Sequence, residues 1–355
     1  MVVVKIIGLI SLLLIAVNCN TTGPPYNNGN GQDTTSHNFT WETFEFGQHS
    51  SSDLYDVIII NENNIWAVGE IFLNDSHGIP DPQAYGIARW NGDEWLLEKV
   101  PYHDFNQTTR RPGPLFSIAN FDGEIFVVSY ANLLKWTGSD WEEKAFFMEQ
   151  IPFNGQVLKI WGTDSNNIYC VGRNGAIFHY FGTGWQEVES GTDLNLYDIY
   201  GEYSRIKGEY EILITAANFT VSFDKQILKI NNSNTVTPLA TEGIPYSIKE
   251  VWFEADREYY IVGAGLFSKN NVDSEGEWEE LDVNYAYLEC IDGSGLNDIM
   301  IGGHFGELHH FNGVSWKSYS DMPSSSILKT VKMKDGLVLI VGNNNRGAFI
   351  AVGKR

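Results

Sequence analysis

Apolar and polar positions in this chain alternate in short runs, and Gly or Asn interrupts each run. The stretch NNIYCVGRNGAIFHYFGTGW, residues 166–185, shows the unit most clearly. Ile168, Cys170 and Gly172 alternate with Tyr169 and Val171 on one predicted strand. Asn174-Gly175 turns the chain, residues 176–180 run back, and a second Gly-rich turn leads to Trp185, which opens a further strand. β-Branched and aromatic runs, punctuated by residues for which positive φ is cheap, are the pattern of hairpins.

The same unit recurs: an apolar strand, a polar turn, a strand ending near Gly, a third with an aromatic end, and a fourth led by Trp. The first unit comprises residues 54–60, 64–69, 86–90 and 95–100, and the second 115–120, 124–130, 132–136 and 141–146. Residues 157–162 precede the stretch above in the third. The fourth (196–201, 210–217, 226–230, 235–240) has strand character but no Trp at its last strand. The fifth is 248–253, 258–263, 266–269 and 278–283, and the sixth 287–291, 298–302, 306–311 and 316–320.

The seventh supplies three strands, 327–333, 337–342 and 347–353, and a spare one stands before the first unit at residues 40–46. Its Trp41 fills the slot of Trp95, Trp141, Trp185, Trp278 and Trp316. A missing strand matched by a surplus one predicts an all-β fold: a β-propeller of seven four-stranded blades, with the N-terminal strand completing the last. Such closure leaves only short, protected edges. The count rests on the degenerate fourth unit, and six or eight blades follow if it is misread. The repeated Trp residues are expected to form an inter-blade packing layer.

Residues 297–303, NDIMIGG, leading to His310-Phe311 and Trp316, place a double Gly after the second strand, an aromatic in the third and a Trp in the fourth. This order resembles the kelch and galactose-oxidase-like propellers. Most other units keep a single Gly, and neither a full Asp box nor a WD dipeptide occurs. The resemblance implies a fold and no activity, because propellers host binding, hydrolysis, lyase and redox chemistry alike.

The ends add a location. Residues 1–18 carry one Lys and an apolar run from Ile6 to Val17, which suits a signal-peptide core and is short for a membrane span. Cys19 follows directly, and residues 14–19 resemble a bacterial lipoprotein signal, in which the Cys becomes the lipidated N-terminus; Asn18 departs from that pattern. The resemblance implies an outer-membrane lipoprotein of the cell envelope, with plain secretion as the alternative. Residues 19–37, rich in Gly, Pro, Asn and Thr, read as a flexible tether, and 38–355 as the propeller. Cys170 and Cys290 fall in non-adjacent repeats and read as small buried hydrophobes.

The formal net charge of -22 argues against nucleic acid and against charge-driven docking on anionic lipid. No nucleophile elbow, phosphate loop, zinc-protease helix or paired CxxC is present. His309 and His310 are adjacent on a strand and point to opposite faces, so they cannot share a metal. Asp164 and Asn61 sit in turns that their side chains cap, a better reading than calcium ligation. No cofactor is expected. Six Asn-x-Ser/Thr sequons, starting at Asn20, Asn38, Asn74, Asn106, Asn218 and Asn231, are coincidental in an Asn-rich bacterial chain.

Two inserts interrupt the first unit: residues 71–85 between its second and third strands, and residues 101–114 before the next unit. Both emerge on one face, and long loops on a rigid scaffold are where recognition concentrates. They offer Asp75, His77, Asp81, Tyr85, Tyr102, His103, Asp104, Arg110 and Arg111 as candidate ligand-binding residues. The leading expectation is a monomeric, non-catalytic envelope propeller that binds a protein or glycan partner through one face. The alternative is a glycan-active hydrolase, lyase or transferase, which needs two or more carboxylates converging on a central pocket. Aromatics and amides at that mouth would favour binding.

Overall fold

Hairpin follows hairpin until the chain meets its own start. The computed structural model describes residues 2–3, 34–103, 109–146, 156–218, 224–283 and 285–355. Within them the strands form seven blade sheets, each holding four consecutive antiparallel strands, except that residues 40–46 supply the outer strand of the last, and one separate two-stranded sheet, Pro101–His103 with Arg110–Pro112. The innermost strands, one per blade, are Asp53–Asn61, Ser117–Phe121, Val157–Asp164, Asn195–Ser204, Ile248–Glu254, Leu288–Gly295 and Ile327–Lys334. Val2–Val3 adds a short fifth strand beside the outer edge of the first blade.

The fourth unit, which lacks the Trp, still forms a full blade: Asn195–Ser204, Glu209–Ala217, Lys225–Ile230 and Val236–Leu239. The count is seven. The outer strand of the fifth blade shrinks to Glu279–Glu280, because the backbone around it bonds elsewhere: Trp278 N–H donates to the Glu242 carbonyl at 2.8 Å.

Closure follows the expected pairing. Thr40–Phe46 runs antiparallel to Gly347–Lys354 with Thr40 opposite Lys354 and Phe46 opposite Ala348. The Trp41 ring lies on Gly353, where a Cβ would come within 2.6 Å of it. The ordered contacts begin earlier than the expected tether boundary. Thr35 Oγ1 donates to the Asn297 carbonyl at 2.6 Å, and Tyr319 Oη donates to the His37 carbonyl at 2.7 Å. Residues 35–37 thus dock on the sixth blade, where Asn297, Asn312 and Tyr319 offer them hydrogen bonds.

Apolar side chains pack between neighbouring blades. One such cluster joins Phe46, Leu339 and Ile350 of the last blade to Leu54, Ala67 and Trp95 of the first. The repeated Trp residues split into two groups. Trp95, Trp141 and Trp278 are buried, whereas Trp41, Trp185 and Trp316 are half-buried. The slot lies at the strand end next to a turn, so its burial depends on what the next blade places over it. Four of these Trp residues face an aromatic across the strand pair: Trp90, Trp136, Tyr180 and Phe311 opposite Trp95, Trp141, Trp185 and Trp316. Cys170 and Cys290 are free and fully buried.

Candidate functional site: a charged cavity on the propeller axis

Six of the seven innermost strands carry a register shift at the same place. The extra residue is Tyr55, Leu158, Tyr197, Lys249, Glu289 or Lys329. A bulge re-aims the side chains that follow it. Here the next position of each strand forms one polar tier on the axis: Asp56, Lys159, Asp198, Glu250, Cys290 and Thr330, with Ser117 equivalent in the second blade. Two residues further on is a second tier, which includes Ala119, Trp161, Tyr200, Trp252, Asp292 and Lys332.

The polar tier stitches each blade to the next. Asp56 Oδ2 accepts from Ser117 Oγ at 2.5 Å and from Ile118 N at 3.2 Å. Asp198 Oδ2 accepts from Val251 N at 3.1 Å, and Glu250 Oε2 from Ile291 N at 3.2 Å. In the second tier Asp292 Oδ2 accepts from Met333 N at 2.7 Å. Thr330 Oγ1 closes the circle by donating to the Tyr55 carbonyl at 2.8 Å. Each carboxylate therefore spends one oxygen on a neighbouring blade, and the other Asp56 oxygen, Oδ1, also accepts from Val57 N at 3.0 Å.

Two lysines stand by the second oxygens. Lys159 Nζ reaches across the axis to Asp56 at 3.5 Å, Glu250 at 3.8 Å and Asp198 at 4.0 Å. Lys332 Nζ stands 3.5 Å from Asp292 Oδ1. Burial alone would lower the pKa of the Lys159 ammonium, but the carboxylates of Asp56, Glu250 and Asp198 outweigh it and hold the pKa above the ordinary lysine value. Around the axis the carboxylates of Asp56, Asp198, Glu250 and Asp292 face these two ammonium groups. Burial pushes the Glu250 carboxyl up to about 8 against the pull of Lys159, and Asp198 adds to the rise. Burial also raises Asp292, opposed by Lys332.

Around these groups lies a cavity of about 320 Å³ that takes in Trp161, Tyr200 and Trp252. It extends to residues 120–122 and Thr163, where inner strands turn into second strands. That face is opposite to the one carrying the two inserts, which join second to third strands and blade to blade. The Trp161 ring is fixed against Gly201 and the Trp252 ring against Gly293; a Cβ on either Gly would clash with the ring at 2.4 Å and 2.7 Å. Among the described residues no three His, Cys, Asp or Glu side chains are grouped to hold a metal.

The insert residues are tied up locally rather than gathered into one site. Asp75 Oδ1 accepts from His77 N and Ile79 N, shaping its own loop, and the His77 ring is exposed. Asp81 pairs with Lys99 at 2.5 Å, and that lysine lies 5.0 Å over the Tyr85 ring. Tyr102 is buried, donating to the Pro114 carbonyl at 3.0 Å. His103 and Arg110 both engage Glu143, at 2.8 Å and 3.2 Å. Pro101–His103 pairs with Arg110–Pro112 in a small hairpin that leaves Arg111 exposed. Asp104 lies outside the described residues, as does Cys19. In the turns, Asn61 Oδ1 accepts from Asn63 N, and Asp164 Oδ1 from Asn166 N. His309 and His310 diverge, one to Ser318 and the other to Asp298.

The axial groups were absent from the sequence-derived candidates, yet they leave a signal. Four of the first strands hold a charged residue at a fixed place, followed by an apolar one: YDV at 55–57, LKI at 158–160, YDI at 197–199 and KEV at 249–251.

No protein-family model matches this sequence, and no curated protein matches it. Solved structures do. A structure described as YCF48 bound to D1 peptide aligns over 91% of this chain and 99% of its own, at 15% identity and a TM-score of 0.66. The WD40 β-propeller domain of Doa1 aligns over 89% and 97%, at 12% identity and 0.63. Virginiamycin B lyase from Staphylococcus aureus aligns over 90% and 100%, also at 12% and 0.63. These likenesses establish the fold alone. They support a seven-bladed propeller at large and no kelch lineage in particular, since such low identity shows nothing finer.

Proposed function

We propose that this chain is a non-catalytic binding propeller of the cell envelope that engages a protein or glycan partner at its axial cavity. The observation that carries this reading is the dual use of the cavity carboxylates. Each has an oxygen committed to the backbone of the next blade, and the others surround lysines, so the groups hold the ring in shape rather than standing free for bond cleavage. Aromatic side chains share the cavity wall, as suits recognition. One of the structural neighbours supports the reading at the level of analogy, by its bound D1 peptide.

A glycan-active or lyase reading has one observation in its favour. Glu250, raised to about 8, holds its proton at neutral pH beside other carboxylates, the state required of a general acid. An array of glycans and peptides, scored for both retention and product, separates the two. Retention without product is expected; product formation abolished by Glu250→Gln would replace the binding reading with the enzymatic one.

Anchoring through a lipidated Cys19 belongs to the same proposal, motivated by its place between the apolar core and the tether. Cys19→Ser should move the protein to the soluble fraction. A wild-type protein already soluble would show that there is no anchor.

A further inference from the structure

We propose that the axial cavity receives one organic cation, the ammonium or guanidinium end of a lysine or arginine side chain on a protein partner. This deepens the binding reading and rests on it. Three observations converge. The first is charge: with Glu250 holding its proton, Asp56, Asp122, Asp198 and Asp292 still stand against Lys159 and Lys332, so the lining lacks two positive charges for neutrality. The second is the wall: Trp161, Tyr200 and Trp252 line the same space, and aromatic rings beside carboxylates suit a cation that has shed its water.

The third is the surface beside the mouth. Trp161 continues outward into Tyr210, ring centres 6.0 Å apart, and Tyr210 into Tyr203 at 5.4 Å. Tyr203, Tyr210 and Ile206 are 49%, 39% and 81% exposed at the turn of the fourth blade on that face. Exposed apolar side chains adjoining a pocket mark contact with a macromolecule. A free amine would fill the cavity and leave this track bare; a side chain on a peptide would use both. The acidity of the whole chain favours a basic partner in the same sense.

The arrangement couples binding to protons. Glu250 faces Lys159, Asp198, Lys332 and Cys290 and keeps its proton at neutral pH because burial, with Asp198 adding to it, outweighs the pull of the two lysines. An entering cation lowers its pKa and expels that proton. Affinity then rises with pH up to about 8, approaching about tenfold per unit for one coupled proton.

The test uses the full-length chain and a capped pentapeptide, Ala-Leu-Lys-Leu-Ala, with a norleucine counterpart, butylammonium chloride, calcium chloride and a neutral oligosaccharide as the other probes. Calorimetry in two buffers of different ionisation enthalpy reads affinity and proton release together. The expected result is that the lysine peptide binds at least about tenfold more tightly than the norleucine one, with proton release, and about tenfold more tightly than butylammonium. Glu250→Gln should abolish the proton release and weaken binding. Asp198→Asn, which keeps an acceptor for Val251 N–H, should weaken binding on an independent background. Equal binding of the two peptides, or no binding of either, overturns the inference while the array still judges the binding reading. Butylammonium binding as tightly as the peptide assigns the site to a free amine and overturns the protein partner. Tighter binding of calcium or of the oligosaccharide than of the lysine peptide overturns it as well.

Discussion

At the scale of single residues, burial separates side chains that occupy one slot in the repeat. Trp141 is 3% exposed and its Nε1 donates to Glu98 at 2.9 Å, whereas Trp185 is half-buried beside Tyr180. Trp141→Ala should cost about 3–5 kcal/mol, as deep aromatic truncations do. Trp185→Ala should cost only about 1–2 kcal/mol, because water already reaches part of the ring. Urea unfolding of both variants checks the ranking, and equal losses would show that the slot is uniform. A second residue runs against its backbone. Phe305 sits at φ 58° in a turn built like that of Asn174, and it is 67% exposed. A bulky side chain in the left-handed region is strained, and the edge-on contact of Phe305 with the His304 ring, centres 6.3 Å apart, is too distant to offset that. Phe305→Asn should stabilise the fold by about 1 kcal/mol, read in the same experiment; a loss of stability would reveal packing that the exposed ring does not show.

At the scale of elements, the closing strand is held by more than its ladder. The residues before it reach a buried relay: His37 Nδ1 lies 2.8 Å from His310 Nδ1, and His310 Nε2 lies 2.8 Å from Asp298 Oδ1. Arg355 forks onto both Asp298 oxygens at 2.6 Å and 2.5 Å. Only one hydrogen fits between the two imidazoles. Burial, then His310 and Lys317, lower the pKa of His37 from its ordinary 6.5 to about 4. The folded state therefore binds fewer protons here than the unfolded chain between those values. Its contribution is present above pH 6.5 and is lost as pH falls towards 4. Melting temperature should drop more steeply across that window for the wild type than for His37→Asn. Parallel curves would mean that the pair does not titrate with unfolding.

The strands themselves were largely legible in the sequence, and the reasons are local. Gly and Asn mark the turns and Trp marks the fourth strand, so even the surplus strand at residues 40–46 could be matched to its vacancy. The bulges were not legible, because a residue such as Tyr55 or Lys249 continues the alternation of its strand without any break in composition. Without them the polar tier cannot be aimed at the axis. The insert loops drew attention for the opposite reason: they are rich in charged and aromatic residues, but Asp81, His103 and Arg110 spend those groups on holding the loops in place.

At the scale of the whole molecule, closure and the proposed recognition share one set of side chains. The carboxylates that stitch blade to blade also leave the axis short of positive charge, so the interior that stabilises the ring is the interior that a partner would enter. Closure has its own test. A chain beginning at Thr34 should melt well above one beginning at Gln48, which loses residues 40–46 and exposes the edge of Gly347–Lys354. Equal melting temperatures would show that the ring closes another way. Recognition is decided by comparing its two faces. The measurement is the affinity of the strongest array ligand for the wild type, for Trp161→Ala at the cavity, and for the double variant His77→Ala, Arg111→Ala on the insert loops, each confirmed folded by its melting curve. The cavity variant should lose at least about tenfold in affinity, and the loop variant should bind like the wild type. The opposite pattern, with the loop variant weakened and the cavity variant unchanged, would contradict it.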